Sequence, residues 1–196
     1  AWFRFFFSLP LLLILWLFVP APKLDAEFYR AFAIALPLEI VTIILYIKAL
    51  RVSPLSLTLP FLAITPVFLI FISYLLVGEK VSFRGGAGIF LIAAGSYTLN
   101  ISEIKKGILE PFRSIPREKG SVFMIGVALI YCFTASLGKI AIEHSSPLFF
   151  VITYYIALTI CFAPIAFWMG RKELGVFFRD KQFRKLVQPG VFFAVM

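Results

Sequence analysis

The chain is poor in the side chains that do chemistry. It has a single histidine, His144, which excludes a histidine-rich metal site. Its two cysteines, Cys132 and Cys161, lie inside apolar stretches without C-x-x-C spacing. They read as small buried hydrophobes, not as a redox or metal pair. There is no nucleophile elbow, no metal-ligand cluster and no pair of carboxylates at helical spacing, so an enzyme finds little support and no cofactor is expected. Charge is scarce too. Charged residues are 15% of the chain, against about 25% in a soluble domain. Between Ser53 and Val77 there is none at all.

What fills the chain instead is grease. Hydrophobic residues make up 61%, and the mean hydropathy is +0.98. This composition needs lipid on its outside, so the fold class is an all-α polytopic membrane protein. The net charge of +9 does not point to nucleic acid. The basic residues stand in short blocks between apolar spans, where positive charge marks cytoplasmic loops and anionic lipid, and no basic module stands apart.

Residues 2–20 read as a first span. A secretory signal is the rival reading, with Arg4 as its charged end and Pro20-Ala21-Pro22 beyond its apolar middle. Residues 29–50, 53–77 and 84–100 read as the second to fourth spans, 121–142 as the fifth and 147–168 as the sixth. The third is broken by Pro60 and Pro66 and dotted with Thr58, Thr65 and Ser73, as where a membrane protein accommodates something other than lipid. In the fourth, Gly88, Ile92 and Gly95 share a helical face, which predicts close approach of a neighbouring backbone. Residues 101–120 form a polar linker between two halves. A basic loop carries Arg171, Lys172, Arg179, Lys181, Arg184 and Lys185, and a seventh span opens near Leu186. Because the chain starts at Ala1 inside one apolar run and stops at Met196 inside another, it reads as a fragment. The connections are short, so neighbouring spans run antiparallel and any function lives among the helices.

Lys23, Arg30, Lys80, Arg84 and Lys139 fall to the side of the odd-numbered connections. The other fourteen basic residues fall to the opposite side, which places the central linker in the cytoplasm by charge.

An ordered set of short motifs runs along these spans. Lys48-Ala49-Leu50 precedes Ser53-Pro54-Leu55; Thr65-Pro66-Val67-Phe68 and Gly78-Glu79-Lys80 follow, then a glycine-bearing span from Gly88 to Asn100. The second half has Gly138-Lys139-Ile140-Ala141-Ile142 and Ser146-Pro147-Leu148-Phe149-Phe150. This set resembles the EamA family of the drug/metabolite transporter superfamily, over nearly the whole chain. The resemblance implies a helical bundle of two inverted five-helix repeats. Residues 1–100 would be helices 2–5, 101–120 the linker, and 121–196 helices 6–7 with the start of 8. A faint internal echo would set Arg4 to Pro10 against Phe149 to Tyr155. The family's usual topology, with both termini cytoplasmic, would put the linker outside, opposite to the charge count. The resemblance further implies a multi-pass protein of the cell (inner) membrane that moves a small-molecule substrate by alternating access. A homodimer stays open. The rival is a non-transporting membrane assembly or lipid-handling subunit.

Glu39 is the sharpest candidate residue. An ionisable group mid-span costs roughly 2.5–3.5 kcal/mol on insertion scales, and persists where it meets a cavity or a partner. Pro37 removes a backbone donor beside it. Thr42 and Tyr46 follow on the same face, a stripe that can line a pathway or take a coupling proton. The alternative is a protonated glutamate that ties helices together. Thr58, Thr65 and Ser73 fall along one helical side and could face a cavity beside Pro66, or bond back to carbonyls one turn earlier. Tyr131 and Thr134 form another stripe with Lys139 beside it, which can bind an anion or snorkel. Tyr154 and Tyr155 can meet substrate or simply pack.

Overall fold

In the computed structural model, residues 2–54, 58, 61–62, 65–78, 80–98 and 119–179 are described. Among them the secondary structure is helical: α1 Trp2–Phe18, α2 Ala26–Val52, α3 Thr65–Val77, α4 Phe83–Thr98, α5 Lys119–Glu143 and α6 Pro147–Arg179. Among the described residues, three stretches are long and apolar enough to cross a membrane: Ala26–Val52, Lys119–Glu143 and Pro147–Met169.

Local chemistry sets the helix starts. Asp25 Oδ1 accepts the Phe28 amide at 3.0 Å and caps α2. Ser82 Oγ accepts the Gly85 amide at 3.2 Å and caps α4. Ser146 Oγ accepts the Phe149 amide at 3.3 Å and caps α6, whose first residue is Pro147. Side-chain oxygens that take orphan amides, and a proline that has none to lose, are the standard ways to open a helix. The cap at Asp25 starts α2 three residues before the apolar run expected at 29. At the end of α3, Gly78 takes φ +76°, and its amide bonds the Tyr74 carbonyl at 3.0 Å. Left-handed backbone closing a helix selects glycine there.

The chain divides into two compact units, Ala1–Phe32 with Ala141–Met196, and Ala33–Ile140. In the first, α1 packs along α6. Trp2 Nε1 donates to the Thr159 carbonyl at 3.0 Å, and Phe5, buried, stacks on Tyr155 with ring centroids 6.0 Å apart. Phe28 meets Phe149, and Phe32 meets Tyr154 edge-on. A segment so packed is part of the folded unit. In the second unit, the core is Ala49, Met124 and Val127, with no exposed surface. The Gly120 amide donates to Ser53 Oγ at 3.3 Å, and Cys132 Sγ reaches the Thr65 carbonyl at 3.3 Å. There α3 packs on α4.

The molecule's surface is apolar. Phe18 is 80% exposed, Leu75 78% and Phe83 93%, while Ser8, Thr42 and Thr58 are fully buried. Large hydrophobes outside and hydroxyls inside suit a lipid solvent.

Four expectations change. The sixth helix does not stop at 168. It runs to Arg179, so Arg171, Lys172 and Arg179 stand on helix, not in a loop. Arginine, lysine, glutamate and leucine are good helix formers, and loss of hydropathy alone does not end a helix. Lys119 and Gly120 belong to α5, not to the linker. Cys161 is exposed, because its face of α6 looks outward beside Ile160, where lipid accepts a thiol as readily as a core does. On α4, a Cβ built at Gly88 meets nothing within 4 Å and Ile92 is exposed, so no close neighbour sits there among the described residues. Close approach occurs at Gly120 instead, where a Cβ would stand 2.5 Å from Ser53 Cβ and 3.0 Å from the Ala49 carbonyl oxygen. Residues 101–118 of the linker, the seventh span, and parts of the third span lie outside the described residues.

Gly120→Ala tests that contact. Alanine gains about 1 kcal/mol over glycine in a helix, but overpacking against backbone costs about 1–3 kcal/mol. The second term wins, so the variant should melt at a lower temperature in detergent.

Candidate functional site

The Ala33–Ile140 unit holds most of the candidate side chains. Glu39 is the central residue of α2 and is half-buried. Thr42, one turn on, has no exposed surface, and Tyr46 is half-buried against the Ala49–Met124–Val127 core. Ile34, Val41 and Val52 point outward on the same helix. The Glu39–Thr42–Tyr46 stripe therefore faces protein, not lipid. Tyr131 packs on the same core from α5, so Tyr46 and Tyr131 meet on one cluster. Thr58 is fully buried in this unit, Thr134 is buried, and Lys139 is half-buried. The partly buried Thr65 offers its carbonyl to Cys132.

The threonines handle their hydroxyls in one way. Thr42 Oγ1 donates to the Leu38 carbonyl at 2.8 Å, Thr58 Oγ1 to Pro54 at 3.3 Å and Thr134 Oγ1 to Tyr131 at 3.2 Å. Back-bonding of this kind satisfies a hydroxyl without a ligand. It does not prevent one, since a hydroxyl that donates still has lone pairs to offer.

In the other unit, Tyr154 and Tyr155 are half-buried. Tyr154 stacks on Phe150 at 5.1 Å and meets Phe32 edge-on at 5.5 Å, while Tyr155 lies on Phe5. The residue before them is the one that the sequence pattern does not single out. Thr153 Oγ1 is buried without a hydrogen-bond partner, whereas Thr159 Oγ1 on the same helix donates to Tyr155 at 2.6 Å. Nothing in the sequence separates the two threonines. Both stand among apolar residues with a carbonyl one turn back.

No group of three or more potential metal ligands occurs among the described residues. One titratable cluster lies outside the spans. Asp25 Oδ2 pairs with His144 Nδ1 at 2.5 Å, across 119 positions of sequence, while Oδ1 caps α2. The Phe28 amide first, and the histidine second, hold the Asp25 carboxyl below its usual range. Arg30 pairs with Glu27 at 2.9 Å beside it.

Helices with apolar exteriors and back-bonded hydroxyls point to an integral membrane protein. The EamA-like transporter family model matches residues 1–101, and the chain belongs to that family, whose members are membrane transporters of the drug/metabolite type and not enzymes. No curated protein and no solved structure matches the chain.

Two stability predictions follow from the hydroxyls. Thr159→Val removes a made hydrogen bond and should cost about 0.5–1.5 kcal/mol. Thr153→Val removes an unmade one and should leave the melting temperature unchanged or raised. Thermal unfolding of both variants beside the parent checks the contrast. For Asp25, a carboxyl held below its ordinary range stabilises the fold above that range. This contribution is lost as pH falls through the lowered value, and a parent-minus-Asp25→Ala comparison across acid pH should show the difference shrinking in that direction.

Proposed function

We propose that the protein is a carrier that moves a small polar or amphipathic metabolite across the membrane by alternating access, with Glu39 as its proton-coupling group. The observation that carries the reading is the position of Glu39, at the centre of α2, half-buried on a stripe that faces protein. An acid there is costly, which makes it a candidate for function by default. Pro37 two residues before it weakens the local helix, which suits a site that must rearrange. Thr42, Tyr46, Thr58, Thr65, Tyr131, Thr134 and Lys139 supply polar groups in the same unit. In the other unit, taken by itself, Tyr154 and Tyr155 offer aromatic faces and Thr153 a hydroxyl open to a polar ligand.

The architecture we infer is two inverted five-helix repeats, residues 1–100 and 121–196 contributing to one each. The packing of α1 on α6 supports it, since these are the helices that the Arg4–Pro10 and Phe149–Tyr155 echo equates. Inverted repeats put the substrate near the midplane and let one half rock against the other. The cell (inner) membrane is the proposed location, and a dimer remains compatible with the exposed faces.

Glu39→Gln is the test. In proteoliposomes of the complete protein, uptake by the parent should depend on pH and on an imposed proton gradient. The variant should lose the gradient dependence and at least tenfold in coupled uptake. Unchanged activity with an unchanged pH profile would remove Glu39 from the coupling role.

A further inference from the structure

The Asp25–His144 pair has no part in the site above. It joins the connection between α1 and α2 to the connection between α5 and α6, segments that belong to different repeats on the reading just given. Its geometry is specific. One carboxylate oxygen is committed to the α2 cap, and the other reaches the imidazole. Both side chains are accessible to water, the aspartate 52% and the histidine 37% exposed, so bulk pH reaches them. Lys23, Glu27 and Arg30 stand on the α1–α2 connection and the first turn of α2, and Arg30 is already paired with Glu27. Glu143 ends α5 with Lys139 one turn before it, and the first turn of α6 carries no charge. His144 is the only group of this set whose type ordinarily changes charge between pH 5 and 8.

We propose that Asp25 and His144 form a proton-operated latch, which holds these two connections together at one face of the membrane and favours the conformation closed at that face when the medium is acid. The pair is ionic where the aspartate is ionised and the histidine protonated, and with a neutral imidazole the bond keeps only the weaker neutral-donor form. Because the pair is exposed, it biases the equilibrium without locking it, by about two- to fivefold in the ratio of closed to open states. The latch as a gate rests on the carrier reading; the pH-dependent contact does not.

The experiment uses the complete protein in proteoliposomes, without other reactive cysteines. Nitroxide labels go on Ala21→Cys and Leu148→Cys, exposed positions on either side of the contact. Pulsed electron–electron resonance reads their separation at pH 8 and pH 5.5. The shorter-distance population should grow two- to fivefold at pH 5.5. His144→Gln should abolish that change. Asp25→Asn should abolish it too, while keeping α2 capped, since asparagine caps as well as aspartate. No pH change in the parent, or a change that survives in either variant, overturns the latch. Uptake is measured in parallel: a pH-dependent separation in a protein that never transports leaves the latch standing and removes the carrier reading instead.

Discussion

Everything in this chain follows from the absence of water around it. In hydrocarbon an amide or carbonyl without a partner costs several kcal/mol, so the backbone must close its own bonds within each helix. Side chains inherit the same demand. Thr42, Thr58, Thr134 and Thr159 satisfy it on their own helices through carbonyls three or four residues back. Ser8 and Ser136 do the same with Phe5 and Cys132. Once the polar groups are turned inward and satisfied, the outside is free to be Phe18, Leu75 and Phe83.

That solution removes the force that ordinarily holds helices together. Lipid tails are as apolar as leucine, so association rests on close packing and on a few polar contacts between helices. The two units show two ways of meeting this need. One uses small and slim side chains, Ala49, Val127 and Met124, with the backbone of Gly120 against Ser53. The other uses rings, Phe5 on Tyr155 and Phe32 on Tyr154, with the Trp2 indole bonded to a carbonyl of α6.

This division also explains what could be read from the residues alone. Helix positions were legible, since apolar runs and capping residues are local signals; Ser146-Pro147 marks the start of α6 to the residue. Helix ends were less so, because a hydropathy boundary at Trp168 is a boundary of the membrane and not of the backbone. The contacts that matter most were not legible at all. Gly120 and Ser53 are 67 residues apart, Asp25 and His144 are 119 apart, and nothing local in either pair advertises the other. The glycines of α4, which do stand at helical spacing, drew attention away from the one glycine where a backbone comes close. At the candidate site the inward stripe of α2 was visible as a 3–4–7 pattern. The difference between Thr153 and Thr159 was not, because it depends on which way a hydroxyl turns.

Glu39 differs from the hydroxyls of the spans for a chemical reason. A hydroxyl can donate to the carbonyl of the turn before it, and helices offer such carbonyls at every position. An ionised carboxylate can only accept, and the interior of a helix offers no spare amides, since each is already committed to a carbonyl. Glu39 must therefore draw a donor from another element or carry a proton of its own. A threonine or tyrosine in the same stripe would pack as well and demand neither. The same logic grades the other polar features. Back-bonded threonines are compatible with any role, the Thr153 hydroxyl is open to a water or a ligand, and Asp25 splits its oxygens between a helix cap and a histidine. An ionised acid at the middle of α2, unlike these hydroxyls, finds no free donor in its own helix backbone, and that is why the proton enters the functional reading at this residue.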